Sequence, residues 1–284
     1  MLSVIVPVYN ESASVTQTLK GLLDELSRRD MATEVIVVDD GSTDGSAELA
    51  AKVEGARLIR HAFNRGYGAA IKTGAREAKG DIVVTFDADG QHNPADVWKA
   101  ADAVRDGVFV IGDRGHRHRS PLWRSPGKWV LARLVNFLAR QPVPDFNSGL
   151  RAVHRKEIAA VLDLCADRYS FSASSTLALH GRDLRIASVP IDVHPRIGAS
   201  SMRMSAGMET IVAILRVSMM FDPLRIFLPA AIVTGLGALG WLTYEIAVRR
   251  NVSDTCVVLI LASLQLFLLG LVADQVAAVR KTSR

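Results

Sequence analysis

The sequence predicts an α/β domain with a mostly parallel sheet covered by helices on both faces, followed by a two-helix transmembrane hairpin. Short apolar runs alternate with amphipathic stretches up to about residue 200, and such alternation is typical of a parallel sheet. Acidic or polar turns follow three of those runs. After residue 221 the composition changes to two long apolar stretches, each close to the length that a membrane-spanning helix needs.

The strands are predicted from apolar runs of the kind that parallel sheets bury on both faces. They lie at 2–8, 34–39, 56–61 and 81–86. Helices are predicted between them, the first from the helical spacing that starts at Val15. The others follow Asp44, cover 67–79 and begin at Asn93-Pro94, read as N-cap and first helical residue. Ser14 and Gln17 have the spacing of a capping box.

Three polar clusters follow predicted strands: PVYNE (7–11), VDDGSTD (38–44) and DADGQH (87–92). Ligands gather at the carboxyl ends of parallel strands. Each cluster alone would be an ordinary turn, but three at one edge, in a chain of net charge +5, indicate a cation-assisted diphosphate site. Asp87 and Asp89 are one residue apart and repel each other. A divalent cation with a bound sugar nucleotide would neutralise them.

The hairpin is predicted from two stretches of 19 uncharged residues, between Arg225 and Glu245 and between Asp254 and Asp274. At about 1.5 Å per residue, each nearly covers the ~30 Å hydrocarbon core of a bilayer. A pair of buried core helices is the alternative, but the short polar link favours a transmembrane hairpin. A hairpin places the basic domain and the basic tail on one face, which the positive-inside tendency makes cytoplasmic.

Three segments follow from this pattern: a catalytic domain at 1–204, an amphipathic helix at 205–223, and the hairpin with its basic tail at 224–284. The apolar side of the middle segment leads directly into the first span, which favours a helix at the membrane interface over a core helix. The start of the chain enters a strand without a basic region or cleavage site, so no signal peptide is expected.

From Arg114 to Arg140 the chain has seven Arg or Lys residues and no acid. A membrane anchor follows, so an anionic lipid surface or a lipid phosphate is the expected partner, not a nucleic acid. The chain has only two cysteines, Cys165 and Cys256, which predict neither a disulfide framework nor a metal cluster.

The motifs SVIVPVYNES, EVIVVDDGSTDGS, NRGYGAAIKTGAREAKGD, DADGQHNP, DFNSGLRAVHR and RIGASSMR occur in this order. Together they resemble the family-2 inverting glycosyltransferases of GT-A fold, and more narrowly the dolichyl- and polyprenyl-phosphate sugar synthases. The resemblance covers residues 1 to about 205. A short aspartate motif alone would be weak, whereas the ordered set is specific.

The resemblance implies a donor site with a nucleotide part and a diphosphate part. The nucleotide pocket would be lined by Pro7, Tyr9, Glu11, Val38 and Asp40. The diphosphate would lie near Asp87, Ala88, Asp89 and Gln91. Asp89 and Gln91 would hold Mg²⁺ or Mn²⁺, since oxygen ligands suit these metals. His92 is a less favoured metal ligand, because alternation turns a neighbouring side chain away.

The resemblance also implies arginines facing the phosphates. Arg114 matches the arginine after the fifth strand, and Arg196 matches the loop that closes over the donor. Arg124 is nearest to the second acceptor-phosphate arginine, with Arg117 and Arg119 as competitors. The catalytic set is therefore Asp89, Arg114, Arg124 and Arg196. Three roles stay open for Asp145 of DFNSGLR: catalysis, acceptor positioning, or capping a turn.

The expected activity is inverting transfer of a hexose from GDP-mannose or UDP-glucose to a polyisoprenyl phosphate. Two alternatives stay open: transfer of an N-acetyl or amino sugar to undecaprenyl phosphate, and a non-catalytic, nucleotide-sensing membrane scaffold. Homo-oligomerisation also stays open.

Overall fold

The computed structural model describes residues 1–115, 126–139, 141–143, 145–194, 206–249 and 252–282. It divides into two compact units, Met1–Ile214 and Leu215–Arg284. The boundary lies ten residues beyond the predicted end of the catalytic domain at residue 204, within the segment predicted to form the amphipathic helix.

The first unit contains a seven-stranded sheet in the order β3-β2-β1-β4-β6-β5-β7. Its strands are β1 (Leu2–Val8), β2 (Thr33–Asp39), β3 (Ala56–Arg60), β4 (Ile82–Thr85), β5 (Val108–Asp113), β6 (Arg151–His154) and β7 (Arg185–Pro190). Strands β1 to β4 run parallel, and only β6 among the described strands runs antiparallel to its neighbours. The predicted mostly parallel sheet is confirmed.

Helices cover the sheet and connect its strands. They are α1 (Val15–Leu26), α2 (Ser46–Ala51), α3 (Tyr67–Glu77), α4 (Asp96–Ala103), α5 (Pro126–Ala139), α6 (Arg155–Ala159) and α7 (Phe171–His180). A further helix, α8 (Ala206–Phe221), follows the last strand. The main core lies between the sheet and helices α1 and α4, where Val4, Leu19 and Val97 are completely buried. Burial on this scale is the main stabilising term of such a domain.

Two helix starts differ from the sequence prediction. Ser14 precedes α1, but its hydroxyl makes no capping bond within that helix, so the predicted capping box with Gln17 is wrong. Helix α4 begins at Asp96, three residues after the predicted N-cap. Instead, the Asn93 side chain accepts a hydrogen bond from the Ala95 amide at 3.1 Å and forms a turn before the helix.

The second unit contains two long apolar helices, α9 (Leu224–Tyr244) and α10 (Asp254–Thr282), linked through a π-helical turn at Glu245–Arg249. Their most apolar windows are only 11% buried, so they are not core helices of this unit. By length and composition each could cross a membrane. Ser263 of α10 donates to the Ala231 carbonyl of α9 at 2.9 Å, and Gly235 gives Ser263 the space to approach.

Helix α8 leaves part of its predicted apolar stripe open. Val212 is 50% exposed and Met219 is 41% exposed, whereas Ile214 and Val217 are buried. An exposed apolar stripe beside a buried one suits a helix at a membrane interface. Its interfacial position stays a prediction.

Candidate functional site

The three polar clusters lie together because their strands are neighbours. The central strands run in the order β2-β1-β4, all parallel, so the turns after Val8, Asp39 and Thr85 meet at one sheet edge. The Asp40 amide donates to the Val8 carbonyl at 2.8 Å. The polar edge predicted from the sequence is therefore one continuous site.

The loops after β1 and β2 are joined by reciprocal hydrogen bonds. Asn10, in the left-handed region with φ of 56°, accepts a bond from the Thr43 amide at 2.9 Å. The Asn10 amide donates to the Ser42 hydroxyl, and the Glu11 amide donates to the Ser46 hydroxyl. Burial opposes ionisation of Asp44, but bonds from Ser46 and Ser12 outweigh it and lower the Asp44 pKa to about 2. These bonds rigidify the edge where Tyr9 and Glu11 lie.

The five residues predicted for the nucleotide pocket all lie at this end of β1 and β2. Pro7 and Val38 are cross-strand neighbours, and both are buried. Tyr9 and Glu11 follow β1 and are half-buried. Asp40 follows β2 directly.

Asp40 is engaged by protein groups on both carboxylate oxygens. It accepts hydrogen bonds from the Arg65 amide at 2.9 Å and the Gly66 amide at 2.7 Å, and His61 Nδ1 lies 2.7 Å from it. Asp40 therefore holds the loop between β3 and α3.

Asp39 was missed by the sequence reasoning. Among the contacts of the described residues, its carboxylate accepts only long hydrogen bonds, 3.3 Å, from the Ser42 amide. The tandem Asp-Asp of the VDDGSTD cluster is the signal that could have identified it.

The Asp40→Asn variant should unfold more easily. An amide side chain offers one acceptor where the carboxylate offers two, so one buried backbone N–H loses its partner, which costs about 1–3 kcal/mol. Chemical denaturation of the purified protein measures this loss. Asp24→Asn on the exposed face of α1 is the matched control and should have no effect. Equal unfolding free energies for Asp40→Asn and the parent would refute the holding role.

Asp87, the first acid of the DADGQH cluster, lies against two polar side chains. The Tyr67 hydroxyl donates to its Oδ1 at 3.0 Å, and His92 Nε2 lies 3.6 Å from its Oδ2. Burial alone would raise the Asp87 pKa, but the neighbouring His92, the Tyr67 hydroxyl and the charge of Arg114 together lower it. Burial and the charge of Asp87 raise the pKa of Tyr67 well above its usual value. Asp87 is therefore an oriented carboxylate next to an undissociated phenol.

The rest of the cluster is fixed by backbone contacts. The Ala88 carbonyl accepts hydrogen bonds from Ser14 at 2.8 Å and Thr18 at 3.3 Å, which explains why Ser14 caps no helix. Asp89 Oδ1 accepts a bond from the Gln91 amide at 3.1 Å. The Gln91 side-chain nitrogen donates to the His194 carbonyl at 3.4 Å, which leaves the side-chain oxygen of Gln91 as its ligand atom. Asp89 and Gln91 thus belong to one tight turn.

Arg114 and Asp145 form a two-bond ion pair. Arg114 Nε and Nη2 donate to the two Asp145 oxygens at 2.6 and 3.0 Å. Asp145 is 7% exposed, and Arg114 retains 30% exposure of its side chain. The bond to Asp145 raises the Arg114 pKa against the effect of burial, and the charges of Asp87 and Asp89 act in the same direction. In the structure Asp145 therefore orients Arg114 beside the acidic cluster.

Gly149 of the DFNSGLR motif lies directly against Asp87. A Cβ on Gly149 would overlap the Asp87 carboxylate group. Sequence reasoning missed this contact, because a glycine between a serine and a leucine carries no local signal of close packing.

The Gly149→Ala variant should displace Asp87 and weaken binding of a metal–nucleotide pair by about ten-fold or more, as loss of groups that orient metal ligands typically does. Calorimetry with UDP and Mn²⁺ measures this directly. Gly107→Ala is unsuitable as a control because its φ is positive, whereas exposed Gly237 has an open Cβ position and lies outside the domain. Gly237→Ala should leave binding unchanged. Unaltered affinity in Gly149→Ala would disprove the role of the contact.

No group of three or more His, Cys, Asp or Glu side chains within the described ranges can hold a metal ion by itself. A metal at this edge would therefore need further ligands, such as water or the phosphate oxygens of a bound donor. Several predicted residues, Arg117, Arg119, Arg124 and Arg196, lie outside the described residues.

Two family models match the chain. Residues 3–161 match the model of glycosyl transferase family 2, and residues 222–279 match the GtrB C-terminal hairpin. The match to the hairpin model covers α9 and most of α10 and agrees with the predicted hairpin.

Similar curated proteins include an undecaprenyl-phosphate 4-deoxy-4-formamido-L-arabinose transferase of Aeromonas hydrophila, 36% identical over 60% of this chain and 54% of that protein. A protein of the same description from Pseudomonas aeruginosa is 33% identical over 66% of this chain and 57% of its own length. An uncharacterised protein of Methanocaldococcus jannaschii is 36% identical over 66% of this chain and 79% of its own. The chain thus spans little more than half the length of the two named transferases.

Solved structures share the fold. Glucosyl-3-phosphoglycerate synthase from Mycobacterium tuberculosis, in complex with Mn²⁺, UDP and phosphoglyceric acid, superposes with a TM-score of 0.59 at 23% identity, over 77% of this chain and 78% of that one. Mannosyl-3-phosphoglycerate synthase from Rubrobacter xylanophilus gives a TM-score of 0.59 at 18% identity, over 76% and 72%.

Proposed function

The chain belongs to glycosyl transferase family 2, and from that premise we propose that it transfers a sugar from a nucleotide sugar to the phosphate of undecaprenyl phosphate, with inversion. One observation carries the proposal: Arg114, oriented by the two bonds that it donates to Asp145, is close enough to the acidic turn to be affected by the charges of Asp87 and Asp89, in a chain that also has an apolar hairpin. A guanidinium at that position can bind an anionic acceptor next to the donor diphosphate.

The sugar is proposed from the relatives. Both named relatives transfer a 4-deoxy-4-formamido sugar to undecaprenyl phosphate. They support an amino-sugar donor better than the hexose donors that the narrower resemblance implied. Transfer of glucose or mannose is the second candidate, since the ordered motifs are shared by synthases of that kind.

A divalent metal fits the residues of the site. Asp89 and Gln91 offer a carboxylate and an amide oxygen from one turn, and Mg²⁺ is commonly held by one or two such groups together with substrate phosphates. The Mycobacterium tuberculosis structure contains Mn²⁺ and UDP, which supports a divalent metal beside the nucleotide diphosphate. When bound, the metal would offset the charge of the donor diphosphate and stabilise it as a leaving group.

The remaining chemistry is positioning of two anions. A lipid phosphate is already ionised at neutral pH, so its oxygen needs no strong base to attack the anomeric carbon. Two unit charges ~4 Å apart repel by ~4 kcal/mol at an effective dielectric of 20. Arg114 offsets this repulsion on the acceptor side, and Asp145 fixes the direction of its N–H groups. On the donor side, the Tyr67 hydroxyl holds Asp87 in place within the acidic turn that would bind the diphosphate.

The hairpin would anchor the protein in the membrane with the catalytic domain on the cytoplasmic face, and α8 would lie at the interface. Undecaprenyl phosphate in vesicles is then the substrate form to use. The purified full chain should be mixed with Mn²⁺ and a panel of UDP- and GDP-sugars, and the lipid extracted for mass spectrometry. A lipid-linked sugar supports the proposal. Donor binding by thermal shift with neither transfer nor donor hydrolysis would favour the nucleotide-sensing scaffold.

A further inference from the structure

We propose that Arg151, at the start of β6, is a positioning residue that sets the acceptor-binding Arg114 and the donor-side Asp87 at the same time. The proposal rests on the proposed function and extends it to a residue without a predicted role in the sequence. Arg151 lies inside the sheet, paired with Thr85 of β4 and Ile111 of β5, and is 7% exposed.

The contacts of Arg151 go to neutral acceptors. Its Nη2 donates to the Phe146 carbonyl at 2.7 Å and its Nε to the Ser148 carbonyl at 3.0 Å. Its Nη1 donates to the Thr176 hydroxyl at 2.8 Å and reaches the Ser175 hydroxyl at 3.4 Å, both on α7. The guanidinium therefore joins helix α7 to the segment 145–149, which we name the acceptor loop.

Both ends of the acceptor loop touch the proposed site. Asp145 at one end holds Arg114 through two bonds. Gly149 at the other end packs against the Asp87 carboxylate, and its carbonyl accepts a bond from Thr85. Because Arg151 bonds to Phe146 and Ser148, just inside these two ends, a shift of its side chain would move both contacts.

Burying a charged side chain costs free energy unless other groups satisfy the charge. A well-packed apolar residue at this position would avoid that cost. The charges of Asp145 and Asp87 act to raise the Arg151 pKa, whereas burial dominates and lowers it to about 10. Its direct bonds all go to neutral groups, so its positive charge acts on these two carboxylates through space.

The test is a double-mutant cycle on Arg151→Lys and Arg114→Ala, read as the KM for undecaprenyl phosphate in vesicles. Lysine keeps the positive charge but lacks the planar, multiple N–H donors of the guanidinium. The acceptor KM should therefore rise about ten-fold, with a smaller change in kcat. In the Arg114→Ala background, Arg151→Lys should change the acceptor KM by less than two-fold. Independent, multiplying effects of the two substitutions would overturn the proposal.

Two further variants separate positioning from folding. Thr176→Val removes one anchor of Arg151 with little change of shape, and should raise the acceptor KM in the same direction but less. Arg182→Lys, on a partly exposed arginine paired with Glu157 at 3.7 Å, is the matched control and should leave KM unchanged. If Arg151→Lys fails to fold, an unchanged KM in Thr176→Val refutes the proposal.

The proposed function can fail separately. If the parent protein forms no lipid-linked sugar from any donor, the proposed function is wrong. If the parent is active but the cycle is additive, only the role of Arg151 is wrong. Calorimetry with UDP and Mn²⁺ gives a further measurement that needs no lipid. Arg151→Lys should weaken this binding through its effect on Asp87. Equal affinities of the variant and the parent would contradict an effect of Arg151 on Asp87.

Discussion

Asp89→Asn should leave the catalytic domain folded and lower metal-dependent sugar transfer by at least about 10²–10³-fold, the usual cost of removing one electrostatic group at the reacting charge. The substitution is well suited to this site, because an asparagine keeps the oxygen that accepts the Gln91 amide at 3.1 Å. The turn should therefore survive while the negative charge is lost. Radiolabelled donor and an Mn²⁺ titration measure the transfer.

Asp81→Asn is the matched control for this variant. Asp81 precedes β4 at the amino edge of the sheet, opposite the site, and its side chain is 79% exposed. The same change of chemistry at that end should leave transfer and its metal dependence intact. Full turnover by Asp89→Asn at saturating donor would remove the metal role of Asp89.

The sheet and its polar edge could be predicted because they depend on local pattern. Apolar runs of strand length, each followed by an acidic turn, predict that the strands run parallel. Parallel strands in turn bring the acidic turns to one edge of the sheet. The residues of the VDDGSTD and DADGQH clusters lie there as predicted from the pattern alone.

The partners of individual side chains could not be predicted in the same way. Ser14 looks like a helix cap from its neighbours, yet its hydroxyl donates to the Ala88 carbonyl, 74 residues away. Asp40 resembles a nucleotide ligand, yet its oxygens are used by the loop before α3. These hydrogen-bond partners depend on which buried N–H and C=O groups need a partner after folding. The neighbouring residues in the sequence do not predict that need.

The role of Asp145 shows the same limit. Sequence left three roles open, and the structure pairs it with Arg114, 31 residues earlier, through strands β5 and β6 that lie side by side. Antiparallel β6 brings the segment 145–149 back to the carboxyl edge of β4. The reversal of a single strand is what joins the DFNSGLR motif to the acidic turn.

Arg114→Ala should raise the KM for undecaprenyl phosphate by about 10–100-fold, since a hydrogen bond to a charged group is worth about 1.5–3 kcal/mol. The affinity for the donor nucleotide should change much less. The change also leaves Asp145 buried without its partner, so some loss of stability is expected. Asp145→Asn in the Arg114→Ala background removes that unpaired charge and should recover stability without recovering the acceptor KM. Initial rates with acceptor in vesicles, together with thermal unfolding of each variant, measure both effects.

Arg133→Ala separates this specific role from general attraction to an anionic membrane. Arg133 lies on α5, in the same basic block, and is exposed. The Arg133→Ala substitution removes the same unit of charge as Arg114→Ala. Any effect of surface potential on acceptor binding should therefore appear equally in these two variants and weaken as salt is added. A specific bond to the acceptor phosphate should instead give a loss confined to Arg114→Ala and little changed by moderate salt. An unchanged acceptor KM in Arg114→Ala, or an equal rise in Arg133→Ala, would show that the guanidinium held by Asp145 does not bind the acceptor.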